Sequence, residues 1–141
     1  MSALSDYIET AWLNTLRGVA FTALSNLYVG LHTAEGADEG SAAWRTTEVG
    51  AIGSYARTAV PAAGWAAPVV SGGRMQIVNS GDVTFVTATA SWGTLTHWSV
   101  WDGASLTTAN LLYKEALAVP KIINNGDVAK FTAGNLVLGL Q

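Results

Sequence analysis

The sequence predicts an all-β fold, a jelly-roll or related Greek-key β-sandwich of about eight or nine strands, with one short N-terminal α-helix. The first observation is a repeat: IVNSGDV at 77–83 recurs as IINNGDV at 122–128. In each copy β-branched residues end one strand, an Asn- and Gly-containing turn follows, and Val begins the next strand. The second observation is a period of two from Ser25 onward, which is typical of strands. Duplication within one sandwich and convergence of two hairpins on a common turn chemistry both explain the repeat.

The N-terminal segment carries the one helical pattern. Apolar residues recur every four positions, Ser5 or Ser2 can cap the first turn, and Gly18 can end the helix. We therefore divide the chain into a helix at 1–18 and a single β-sandwich domain at 19–141. The apolar stripe is expected to pack on the body of the domain or to dock on a partner. Its members are Leu4, Ile8, Trp12 and Leu16.

The remaining elements follow the strand period. Leu27, Val29 and Leu31 alternate with Tyr28, Gly30 and His32, which predicts a half-buried strand. A long loop rich in Gly and acidic residues follows at 33–53 and is expected to serve the function. Further strands are predicted at 55–60, 74–78, 83–86, 95–101, 110–114, 116–123, 128–131 and 136–140. The total of nine is enough for two packed sheets.

Composition restricts the class of protein. Only 12% of the 141 residues are charged, against about 25% in an average soluble domain. A surface so poor in charge is typical of assembly against neighbours, although an Ala- and Thr-rich β-protein also has it. The net charge of −3 and the 7 scattered basic residues argue against a nucleic-acid partner. The sequence predicts neither an export signal nor a membrane span, and with no Cys it offers no disulfide or thiolate site.

One strand places Ser, His and Asp close together in sequence, at Ser99, His97 and Asp102. A hydrolytic triad needs a sharp nucleophile turn, and the chain has no Gly-x-Ser-x-Gly. We predict no catalytic residue and no enzyme activity.

Acidic residues, histidines and aromatic residues are the candidates for metal and sugar sites. Glu35, Asp38 and Glu39 lack the spacing of a calcium loop, and His32 and His97 are not spaced as a zinc pair. No metal and no cofactor are predicted. The six Trp and four Tyr can stack on sugars, but core and subunit packing is the favoured interpretation because they lie on predicted strands.

Several segments together resemble a family of small tailed-phage virion proteins. They span roughly residues 20–140 in order, so the likeness does not rest on one motif. The segments are LYVGLHTA at 27–34, YAR at 55–57, WGTLTHW at 92–98, WD at 101–102, NLLY at 110–113, GD at 126–127 and FTAGNL at 131–136. Trp101 stands where a variable apolar residue is expected, and the 35–53 loop is particular to this chain.

The resemblance implies a jelly-roll capsid cement, or decoration, protein. Such a protein would bind the outer surface of the phage head, after assembly in the host cytoplasm, and stabilise the shell by bridging major capsid protein subunits. Expected partners are the major capsid protein and further copies in a dimer or trimer, with no nucleic acid and no membrane. The expected contact residues are Trp12, Trp44, Arg45 and Trp65. The alternative is a tail-fibre or receptor-binding module for a host glycan or protein, the label that this family often carries.

Overall fold

A computed structural model describes residues 3–140, and its strands pair only in antiparallel fashion. The predicted all-β class with a short N-terminal helix is confirmed. The helices are α1 (Asp6–Leu16) and α2 (Ser41–Thr47), with a 3₁₀ turn at Ala62–Gly64. The strands are β1 (Asn26–His32), β2 (Thr58–Pro61), β3 (Val69–Ser71), β4 (Arg74–Val78), β5 (Val83–Thr84), β6 (Gly93–Trp101), β7 (Leu111–Ile123), β8 (Lys130–Phe131) and β9 (Val137–Leu140).

The strands form a four-stranded sheet of order β2-β1-β6-β7, a three-stranded sheet of order β3-β4-β9 and the pair β5-β8. The main core is a single cluster of buried side chains that these sheets share. Because alternate residues of a strand point to opposite faces, one set from β1 and β6 enters this core. Its members include Val29, Leu31, Phe85, Leu95, Trp98, Val100 and Leu136.

The opposite face of β1 and β6 is covered as well. Helix α2 lies within the predicted 33–53 loop and brings Trp44 over this face. There Trp44 forms a second cluster with Trp101, Ala109 and Leu111. Strand β1 is therefore buried on both faces toward its C-terminal end, and the prediction of a half-buried strand is wrong there. The sequence pattern missed α2 because it is only seven residues long and has no side-chain cap.

The predicted number of nine strands is correct, but only because one missed strand offsets two predicted strands that are in fact one. Strand β3 was not predicted, although Gly72 and Gly73 both have positive φ and connect it to β4 in a two-residue hairpin. The predicted strands at 110–114 and 116–123 are one strand, β7. Between its pairs with His97 and Leu95, β7 runs from Ala116 to Lys121, so residues 117–120 bow out of the ladder opposite a single β6 residue.

The repeated turns do not make two hairpins. Strand β4 pairs with β3 and β9, and β7 pairs with β6, so neither copy pairs with the strand that follows it. Instead β5 and β8, the strands that follow the two turns, pair with each other through Val83–Phe131 and Thr84–Lys130. Gly126 has the positive φ expected of the turn, at +90°, whereas Gly81 does not. Pairing between the strands that follow the two turns thus corrects the hairpin interpretation.

Residues before α1 extend the edge of the large sheet. Ser5 N donates to Leu112 O at 3.1 Å and Lys114 N donates to Ala3 O at 2.8 Å. The Ser5 hydroxyl also accepts from Ile8 N, which confirms Ser5 as the N-cap. No helix among residues 3–140 is long and apolar enough to cross a membrane.

Candidate functional site

Helix α1 has both packed and exposed apolar side chains. Ile8 packs on the core, while Trp12, Leu13 and Leu16 are 60%, 60% and 73% exposed. At 100° per residue Trp12, Leu16 and Leu13 lie about 40°, 80° and 140° around the helix axis from Ile8, and Glu9 lies among them. We call Trp12, Leu13 and Leu16 the α1 face. An uncovered apolar helix face is typical of a docking element.

A second apolar surface is a cleft of about 750 Å³. Its lining includes the core residues Leu95 and Trp98 together with the exposed Val119, Ile122 and Val128. The bowed part of β7, strand β8 and the two residues that precede β8 contribute to this lining. We call this site the cleft. Its size and apolar floor suit the side chains of a partner.

A buried chain of hydrogen bonds lies on the face of the large sheet that α2 covers, opposite the main core. The indole Nε1 of Trp101 can only donate, and it donates to Ser99 Oγ at 2.6 Å. The Ser99 hydroxyl also lies 2.6 Å from His32 Nε2. The other ring nitrogen, Nδ1, lies 3.2 Å from Thr47 Oγ1, and because the Thr47 hydroxyl donates to Trp44 O, the arrangement favours a His32 proton on Nδ1. Burial, with Arg57 and His97 nearby, lowers the pKa of His32 to about 3, so the ring is neutral.

A buried ion pair completes this network. Arg57 Nη2 lies 2.6 Å from Glu48 Oε2, and the Tyr55 hydroxyl donates to Glu48 Oε1 at 2.8 Å. Arg57 also donates to the carbonyls of Gly103 and Ser105, at 3.1 and 2.9 Å. Burial and the Glu48 carboxylate raise the pKa of Tyr55 well above its ordinary value. The arrangement ties two long loops to the sheet.

The Ser, His and Asp singled out in the sequence do not come together. Ser99 contacts His32 instead of His97, whose Nδ1 lies 2.9 Å from Thr96 Oγ1. The Asp102 carboxylate accepts from Asn110 N and Nδ2, at 2.7 and 2.8 Å. Ser99 and His32 are both fully buried, so a substrate cannot reach their hydrogen bond in this structure. The network serves to hold the loops.

Of the four expected contact residues, only Trp12 is well exposed. Trp44 is 1% exposed and donates through Nε1 to Asp38 O at 2.9 Å, so it is a packing residue and offers a partner no surface. Arg45 is half-buried and donates to Ala109 O. Trp65 is half-buried and packs on the main core. Of the three aromatic residues expected to contact a partner, one is exposed and two pack in the core clusters, because apolar side chains serve both roles.

One group of carboxylates has the spacing of a cation site. Ligand atoms of Asp6, Glu9 and Glu39 lie within 4.8 Å of one another. Lys114 Nζ lies 3.6 Å from Glu39 and supplies positive charge next to the group. In the sequence Glu39 stands next to Asp38 and close to Glu35, whereas the fold brings it to the start of α1. These are the described residues that could hold a metal.

Comparison with known families decides the class of protein. Residues 3–139 match the family described as Podophage GP4 fiber I protein gp80. The chain belongs to this family. It is therefore a bacteriophage structural protein and a component of the virion, and the resemblance to tailed-phage virion proteins is confirmed at that level. The comparison with curated proteins found no match.

Within this phage family member, sequence reasoning found Trp12 but missed the cleft. The cleft depends on how far β7 bows away from β6, which no local pattern reports. The sequence does contain one signal, which is Pro120 within the mostly apolar run 116–123. Pro cannot donate a hydrogen bond to the strand ladder and is typical of sheet edges and bulges.

Proposed function

We propose that this protein is a subunit of a fibre attached to the phage particle, and that the α1 face is its contact element. The observation that carries the proposal is the exposed apolar side of α1, formed by Trp12, Leu13 and Leu16. The family description supports the fibre assignment. A helix that presents large apolar side chains on its outer side gains ~1.5–3 kcal/mol for each Leu that it buries on a partner.

The remainder of the molecule suits a rigid support. The Arg57–Glu48 pair and the Ser99–His32 contact tie loops to the large sheet. We assign no catalytic role to these buried groups.

The test is co-sedimentation of the purified protein with isolated tails and, separately, with expanded undecorated heads. Saturable binding to tails that Trp12→Ala weakens about 30-fold would support the proposal. Thr10→Ala is the control, because Thr10 is exposed on α1 outside the α1 face. Equal binding of wild type and Trp12→Ala, or binding to neither particle, would refute it.

The second candidate is the capsid cement role, and the charge-poor composition of 12% favours it. Such a protein adds buried area between neighbouring capsid subunits and so favours the assembled shell. Saturable binding to heads in a fixed ratio, with greater resistance of the heads to heating, would select this function over the fibre assignment.

A further inference from the structure

Two apolar surfaces, the α1 face and the cleft, are not covered by any element in residues 3–140. We propose that the α1 face of one copy docks in the cleft of a second copy, so that copies associate head to tail. The inference rests on the proposed function and deepens it, since it names a second copy of this chain as an occupant of the α1 face.

Helix α1 has the exposed apolar anchors that an apolar cleft can take. Helix α1 has 11 residues and is about 16 Å long at ~1.5 Å per residue. Its exposed Trp12 and Leu16 are one helical turn apart, the spacing by which helices anchor in apolar grooves. The cleft of about 750 Å³ has Leu95 and Trp98 at its floor, so a large side chain that enters it contacts the main core.

The charges of the two surfaces are complementary. Helix α1 carries Asp6 and Glu9 in its first turn and no basic residue in its last turn, and Arg17 follows at its C-cap, so residues 6–17 have a net charge of −1. Lys130 of the cleft pairs with Asp82 at 3.3 Å, in an exposed pair, whereas Lys121 is in none of the ion pairs found among residues 3–140. The cleft is therefore net positive and the helix net negative, which favours their association over helix-to-helix or cleft-to-cleft pairing. The charged residues that line the cleft are Arg74, Glu115, Lys121 and Lys130.

Contact between different surfaces of identical copies is heterologous. Such contacts close into a ring or extend as an open filament. In an open filament the helix of the terminal copy stays free, and it is then available for the phage particle. One contact element thus serves both attachment and growth of the fibre.

Engineered cysteines test the proposal, because the chain has no Cys of its own. Leu13→Cys places a thiol on the α1 face and Val119→Cys places one at the cleft, and both parent side chains are exposed. We expect a disulfide-linked heterodimer when the two variants are mixed under mild oxidation, and little dimer from either variant alone. Thr10→Cys in place of Leu13→Cys is the control and should give no heterodimer.

Three results would overturn the proposal: rapid dimerisation of Leu13→Cys alone, rapid dimerisation of Val119→Cys alone, or no heterodimer in the mixture. A charge reversal gives a second, independent test by sedimentation equilibrium. Lys121→Glu should weaken self-association of the otherwise unchanged protein about tenfold, and adding Glu9→Lys should restore it. If Glu9→Lys does not restore the self-association that Lys121→Glu weakens, the proposal is contradicted. These measurements contain no phage, so failure here with retained binding to tails leaves the proposed function intact.

Discussion

Arg57 and Glu48 meet as a bidentate ion pair in the interior, Nη2 to Oε2 at 2.6 Å and Nε to Oε1 at 2.8 Å. Their side chains are 0% and 3% exposed. Arg57 also lies over the Trp101 ring, with Cζ 3.7 Å from the ring centroid. A planar guanidinium can satisfy the carboxylate, two carbonyls and an aromatic face together, which an ammonium cannot.

The first prediction concerns this pair. Arg57→Met should lower the free energy of unfolding by about 3–5 kcal/mol, because it leaves a buried carboxylate without its counter-charge. The matched control is Lys130→Met, which removes an ion pair to Asp82 whose side chains are about half exposed and should leave the free energy of unfolding nearly unchanged. Urea denaturation measures both. Similar losses of unfolding free energy in the two variants would show that the buried pair of Arg57 contributes no more than the exposed pair.

The second prediction concerns pH. The pKa of His32 is about 3 in the folded protein and about 6.5 when unfolded, so below pH 6.5 the unfolded state binds the extra proton. Its contribution to stability is therefore full above pH 6.5 and falls by up to ~1.4 kcal/mol per pH unit as the pH drops toward 3. Denaturation curves for His32→Gln should show a shallower loss over this window. His97→Gln should keep the steep loss, since His32 is intact, and an identical pH profile for wild type and His32→Gln would exclude this titration.

The third prediction concerns Gly30, whose backbone lies against the buried network. A Cβ there would sit 2.7 Å from Glu48 Oε1, 2.9 Å from Ser99 Oγ and 3.0 Å from Trp101 Nε1. Gly30→Ala should therefore destabilise the protein by about 1–3 kcal/mol, because hydrogen-bonded groups must move. Gly50→Ala is the control, with nothing within 4 Å of its Cβ. Equal thermal unfolding temperatures would contradict the packing seen at Gly30.

The fourth prediction separates two tryptophans by their surroundings. Trp44→Ala should cost about 3–5 kcal/mol, since it empties the second core cluster. Trp12→Ala should change stability by no more than about 0.5 kcal/mol, because its side chain is 60% exposed. Chemical denaturation of the two variants checks this. A large loss at Trp12 would mean that the α1 face packs within the protein.

The N-terminal helix shows how far a local pattern carries. Apolar residues at every fourth position predicted one stripe, and the helix forms where expected. A four-residue step rotates by about 40° around the axis, so Leu16 lies about 80° from Ile8. The pattern therefore found the helix and its cap but could not say that only its first half packs on the sandwich.

Pairing across the sheet was harder to predict. The repeated turns at 77–83 and 122–128 were visible, yet each preceding strand pairs with distant strands. Likewise His32 and Ser99 are 67 residues apart in sequence and 2.6 Å apart in space. Local composition reports turns and periods, whereas these contacts depend on which strands become neighbours.

Both ends of α1 are joined to the same large sheet. Before the helix, residues 3–5 are hydrogen-bonded to the edge strand β7, and after it the chain leads to β1, which lies between β2 and β6. A pull on α1 from a neighbouring molecule is consequently shared by an edge strand and an interior strand of one sheet. The two backbone bonds that join residues 3–5 to β7 run across the strands, so tension along this segment loads both of them in shear at once. The element proposed to bear the attachment thus transmits mechanical load into the most extensive hydrogen-bonded part of the molecule.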